Sequence, residues 1–119
     1  MEKKRLVLVV DDHPKVLRFI EIDLKLHGFE VITTTSGQEA VELVKSKKPD
    51  IMLLDIVMPK VDGLQVLEQV RSFSRLPIIT FSARPSERNN AIRLGADDFI
   101  TKPFRPGDML KKIETLLEN

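Results

Sequence analysis

The feature that most constrains this chain is the run Arg5-Leu6-Val7-Leu8-Val9-Val10, in which five apolar residues follow one another without polar alternation. A strand with one wet face alternates, so an unbroken β-branched run suits a strand covered on both faces. The run stops at Asp11-Asp12. Pro14 then sits where a first helical turn tolerates proline, Val16, Ile20 and Leu24 recur at helical spacing, and Gly28 follows as a left-handed stop. A weaker strand covers Glu30 to Thr34. Ser36-Gly37-Gln38-Glu39 has capping-box form and leads into a helix carrying Ala40, Leu43 and Val44, which Pro49 closes.

The alternation continues. Ile51-Met52-Leu53-Leu54 is a third buried strand ending at Asp55, and Asp62 caps a helix carrying Leu64, Leu67 and Val70. Pro77 to Phe81 is the fourth strand, and Ser86 to Leu94 reads as a short polar helix stopped by Gly95. A fifth strand near Asp98 to Thr101 precedes a last amphipathic helix with Pro106, Leu110, Ile113 and Leu117, for which Asp108 is a cap. Five strands alternating with five helices predict an α/β fold, a parallel sheet with right-handed crossovers and helices on both faces. Periodicity alone does not order the strands.

With 119 residues, residues 1–119 read as one domain. No apolar stretch approaches the roughly 20 residues that span a bilayer, so the expectation is a soluble, cytoplasmic chain without membrane contact. The absence of cysteine excludes disulfides, thiolate metal sites and cysteine nucleophiles. Lys and Arg (19) nearly balance Asp and Glu (18), and no aromatic–basic interleaving occurs, which argues against a direct nucleic-acid surface.

In open parallel sheets ligands bind beyond the carboxyl ends of the strands. The residues expected there are Asp11 and Asp12 after the first strand, Asp55 after the third, Ser82 after the fourth and Lys102 after the fifth. Three carboxylates so close would raise the pKa of at least one unless a cation sat among them. Mg²⁺ suits such an open set, since it is small and hard and takes one or two carboxylates plus waters and phosphate oxygens. Singly, an aspartate at a strand end is a turn former or a cap. Their coincidence with a lysine carries the argument.

Val10-Asp11-Asp12, Leu54-Asp55-Ile56-Val57-Met58-Pro59, Asp62-Gly63, Phe81-Ser82-Ala83, Gly95-Ala96-Asp97-Asp98-Phe99 and Lys102-Pro103-Phe104 together resemble the receiver domain of two-component response regulators. The resemblance spans the whole chain. It implies a flavodoxin-like fold with strand order 2-1-3-4-5, which sets Asp11 and Asp12 beside Asp55. It further implies that Asp55 is the phosphoacceptor, attacking a phosphohistidine of a sensor kinase or phosphotransfer protein to form an acyl phosphate. In that scheme Asp12 and Asp55 bind Mg²⁺ (or Mn²⁺) directly, Asp11 binds directly or through water, and the Val57 backbone carbonyl adds an oxygen. Lys102 pairs with a second phosphoryl oxygen and Ser82 donates to a third.

The resemblance also implies a switch in which Ser82 moves toward the phosphoryl group and Phe99 turns inward, with Pro103 following a cis bond that aims Lys102. The output face would be the fourth helix, fifth strand and fifth helix, which is also the expected surface for a phosphorylation-dependent homodimer. The partner regulated would be an output domain or a separate target. Such a chain catalyses its own phosphorylation and dephosphorylation rather than turning over a substrate.

The sequence departs from the family between Ser82 and Gly95, which is about two residues short of the commonest spacing. Taking Thr80 as the hydroxyl donor would restore the spacing, but Ala83 after Ser82 fits the family block better than Phe81 after Thr80. Val57 and Arg84 flank the expected path of hydrolytic water. His13 reads as a solvated loop residue, and His27 as a cation at a helix end. The rival readings are a receiver-like module that only binds partners, a nucleotide or flavin domain, and an aspartate-nucleophile phosphatase. The second lacks a Gly-rich loop after the first strand, and the third normally carries its nucleophile in the first strand's motif.

Overall fold

The unbroken run does form a strand covered on both faces. In the computed structural model, which describes residues 3–58 and 62–118, strand β1 (Leu6–Val10) has Val7 to Val10 fully buried. Successive side chains point to opposite faces. Leu8 and Val10 therefore enter one core while Val7 and Val9 enter the other.

The chain continues through α1 (Pro14–Leu26), β2 (Glu30–Thr34), α2 (Gly37–Lys47), β3 (Ile51–Asp55) and α3 (Gly63–Arg71). It ends with β4 (Ile78–Ser82), α4 (Arg88–Arg93), β5 (Asp98–Thr101) and α5 (Pro106–Glu118). All strand pairs are parallel, in the order β2-β1-β3-β4-β5 expected from the family resemblance. One core holds Ala40, Val44, Leu67, Val70 and Ala91 from α2, α3 and α4. The other holds Leu17, Ile20 and Leu24 from α1 with Met109 and Ile113 from α5. Each fully buried Leu, Ile or Val contributes about 1.5–3 kcal/mol relative to exposure, which is why the two layers hold the sheet from both sides. Among the described residues no helix is long and apolar enough to cross a membrane.

Most boundaries follow the predicted signals. Gly28, at φ +90°, ends the turn after α1. Ser36 caps α2 by accepting from the Glu39 N–H at 3.1 Å, and Asp62 caps α3 by accepting from the Leu64 N–H at 2.9 Å. Other boundaries differ for local reasons. It is Lys48, at φ +47°, that turns the chain out of α2 before Pro49. β4 begins at Ile78 because Pro77 has no N–H to give, although its carbonyl accepts from Met52. The expected helix over Ser86 to Leu94 divides into a 3₁₀ turn, Pro85–Glu87, and the short α4. Asp108 lies in the first turn of α5 and accepts the Arg105 N–H at 3.2 Å, which is the backward-reaching half of a capping box rather than the cap itself. Pro59 of the sequence motif lies outside the described residues.

Candidate functional site

Register assembles the site. Val10 pairs with Leu54, so the residues that follow, Asp11 and Asp55, stand side by side, while Asp55 pairs with Phe81 and Ser82 with Thr101. Asp11, Asp55, Ser82 and Lys102 thereby reach the carboxyl end of four adjacent strands. Asp11 and Asp55 are nearly inaccessible, at 0% and 2% exposure. Gly63 explains how α3 starts so close beneath them. A Cβ there would overlap the Asp55 carbonyl oxygen and the Ile56 backbone, and the Gly63 N–H donates to the Ile56 carbonyl at 2.8 Å.

Lys102 Nζ donates to Asp11 Oδ2 at 3.1 Å and reaches Asp55 Oδ2 at 3.5 Å. The His13 backbone N–H donates to Asp11 Oδ1 at 2.9 Å, and the Val57 N–H to Asp55 Oδ1 at 3.3 Å. His13 Nδ1 lies 3.0 Å from Asp11 Oδ1 and 3.2 Å from Asp12 Oδ1. His13 is thus exposed, as a loop histidine is expected to be, yet its ring leans into the acidic pair. Asp12 Oδ1 is buried and accepts no hydrogen bond among the described residues.

Burial pushes the Asp55 carboxyl up to about 7, and the neighbouring Asp11 charge adds to the rise against the pull of Lys102 and the Val57 N–H. Burial would raise Asp11 too. There the His13 N–H and the Lys102 ammonium prevail and hold it below the usual carboxylate value. Burial thus leads the rise at Asp55, and repulsion from the neighbouring Asp11 carboxylate comes second. One ligand atom from each of Asp11, Asp12, His13 and Asp55 lies within 4.8 Å of the others. A buried Asp12 oxygen that accepts no hydrogen bond among the described residues, together with hard carboxylate donors, fits Mg²⁺ or Mn²⁺.

Ser82 closes β4 with its Oγ accepting the Arg84 N–H at 3.0 Å, and its carbonyl accepts the Lys102 N–H at 2.8 Å. Thr80 lies deeper and donates to the Asp98 carbonyl at 3.1 Å. Of the two hydroxyls, Ser82 is the one at the strand end. Phe99 is buried in the core with Ala91 and Ala96. Val57 and Arg84, both exposed, face a cavity of about 400 Å³ beside the site. The Lys102–Pro103 peptide is cis.

Residues 7–114 match the family described as "Response regulator receiver domain". The chain belongs to this receiver family. A probable transcriptional regulator, ycf27, of Guillardia theta is 38% identical over 98% of this chain and 47% of its own length. The alkaline phosphatase synthesis transcriptional regulatory protein PhoP of Bacillus subtilis is 36% identical over 98% of this chain and 49% of its own. The receiver chain thus spans about half the length of the curated relatives it matches. Among solved structures, a response regulator from Chloroflexus aurantiacus superposes with a TM-score of 0.93 at 29% identity, covering 98% of this chain and 100% of that one. The chemotaxis protein CheY4 of Vibrio cholerae gives 0.88 at 26% identity, covering 96% and 99%.

Two residues touch the site in ways their sequence pattern does not indicate. His13 has no periodic or motif signal of its own. Phe81, an apolar residue inside a buried strand, reads only as core, yet Lys102 Nζ lies 4.9 Å from the centre of its ring.

Proposed function

We propose that this receiver domain takes a phosphoryl group onto Asp55 from the phosphohistidine of a sensor kinase or phosphotransfer protein. An Asp55 oxygen attacks phosphorus, the bond from phosphorus to imidazole nitrogen breaks, and the departing imidazole keeps the electron pair and takes up a proton. Asp55 needs no general base, because its ionised form is the nucleophile. Asp11, Asp12 and Asp55, with the Val57 carbonyl, would hold Mg²⁺ or Mn²⁺. A bound ion would neutralise the carboxylates, favour ionised Asp55 and offset charge on the transferred group. Lys102 binds one phosphoryl oxygen and the Ser82 hydroxyl another. Val57 and Arg84 border the side from which water hydrolyses the acyl phosphate.

The observation that supports this reading is a nearly inaccessible Asp55 in reach of Lys102 and clustered with Asp11 and Asp12, whose buried Oδ1 accepts no hydrogen bond among the described residues. The switch uses Ser82 and Phe99, and Phe99 is buried in the core. We assign residues 1–119 to one receiver unit in the cytoplasm. It regulates an output domain or separate target through α4, β5 and α5, the same face through which phosphorylated copies pair. Incubation with acetyl phosphate and Mg²⁺ is expected to add one hydroxylamine-sensitive phosphoryl group, read by intact mass. Asp55→Asn abolishes it, and persistent labelling of that variant overturns the assignment. Lys102→Ala is expected to retain some labelling but lose signalling.

A further inference from the structure

A lysine on a four-carbon stem is a flexible point charge, and holding it in one place costs rotamer entropy. Lys102 has carboxylate partners at 3.1 and 3.5 Å, but both would be claimed by a cation and a phosphoryl group when the site fills. Its third neighbour is of another kind. Nζ lies 4.9 Å from the centre of the Phe81 ring, and Phe81 is fully buried at the end of β4. An aromatic face attracts an ammonium through its quadrupole, most strongly where water is excluded. It also consumes none of the acceptors that a phosphoryl oxygen must provide.

The same ring is tied to the loop that bears the lysine. Phe104, two residues beyond Lys102, meets Phe81 edge-on, with ring centres 6.0 Å apart and planes at 72°. Edge-to-face geometry is favoured between aromatic rings. Phe81 therefore contacts both the ammonium and its loop. An aliphatic residue would fill the same core volume without the charge–quadrupole attraction.

We propose that Phe81 is a positioning residue for Lys102, its ring face holding the ammonium over the site when Asp11 and Asp55 turn to other partners. The role rests on the phosphoacceptor reading, since it concerns how Lys102 meets the phosphoryl group. It predicts that the electron density of the ring, and not only its bulk, sets the affinity of the site for a phosphoryl-like anion.

The test replaces Phe81 in the full chain with phenylalanine carrying one, two or three ring fluorines, which drains the π face while nearly keeping its shape. Affinity for beryllofluoride with Mg²⁺, measured by calorimetry, is expected to fall stepwise to about tenfold weaker at three fluorines, with the melting temperature unchanged. In the free protein, NMR is expected to show the Lys102 ε-methylene protons shifted upfield by the ring, a shift lost in Phe81→Leu. A flat fluorine series in a protein that binds beryllofluoride overturns the proposal, as does an upfield shift that survives Phe81→Leu. Failure of the unsubstituted protein to bind beryllofluoride while the upfield shift is present removes the phosphoacceptor reading itself, and the role of Phe81 with it.

Discussion

At the amino ends of the strands, Asp97 Oδ2 accepts from the Ile78 N–H at 2.8 Å and from Arg71 Nη2 at 2.9 Å. Arg71 also donates to the carbonyls of Gly95, Ser74 and Leu76, at 2.9, 3.3 and 2.8 Å. Asp50 does similar work one layer over, accepting the Leu6 N–H at 2.7 Å. At the carboxyl ends the same residue types are left in a different state. Among the described residues Asp12 Oδ1 accepts no hydrogen bond and one lysine, Lys102, serves two carboxylates, while Asp55 is held toward its neutral form. The fold thus closes one rim with satisfied charges and leaves the other short of positive charge. Repulsion at the open rim is tolerable because the closed rim and the two cores carry the stability.

The largest expected effect tests the closed rim. Arg71→Met removes a donor from three carbonyls and the arginine partner of Asp97, which keeps the Ile78 N–H, and should cost about 2–4 kcal/mol in urea unfolding while Mg²⁺-dependent labelling of Asp55 survives. Loss of labelling in a folded variant would show the two rims to be coupled.

At the open rim the sign is opposite. Folded Asp55 keeps its proton to about 7, whereas an unfolded aspartate releases it near 3.8. The folded state therefore binds the extra proton between these values, and the metal-free protein should lose stability as pH rises from roughly 4 to 7, by a few kcal/mol at most. Asp11, held low, acts below that window. Asp55→Asn should flatten the slope and saturating Mg²⁺ should oppose it, both visible in urea titrations against pH.

Asp50→Ala, which removes one charge-assisted bond to a strand N–H, should cost about 1.5–2 kcal/mol without altering metal affinity. The smallest effect lies outside both rims. Lys48 holds a left-handed conformation at φ +47°, and Lys48→Gly should raise stability by about 0.5–1 kcal/mol, since glycine avoids the Cβ clash but gives up backbone entropy.

The carboxyl rim was legible in the sequence because apolar runs ended abruptly in Asp11, Asp55 and a segment bearing Lys102, and strand ends in a parallel sheet converge on one edge. The strand order came from the family resemblance. The amino rim was not legible. Arg71 carries no motif or periodic signal, and its contacts with Gly95 and Asp97 lie 24 and 26 residues away. Phe81 was hidden for a related reason, since an aromatic in a buried strand has the same pattern whether or not a cation rests on it. The division of the fourth helix follows from Pro85 and the polar run after it, where no apolar stripe fixes the start.

Asp11 and Lys102 meet across 91 residues of chain. During synthesis the three aspartates leave the ribosome well before the lysine, and β5 is the last strand to emerge. A nascent chain therefore holds every carboxylate of the site but not the ammonium that answers them. Under the proposed function, a chain clipped before β5 would present the carboxylates without that ammonium and would compete poorly with intact copies for a phosphoryl donor.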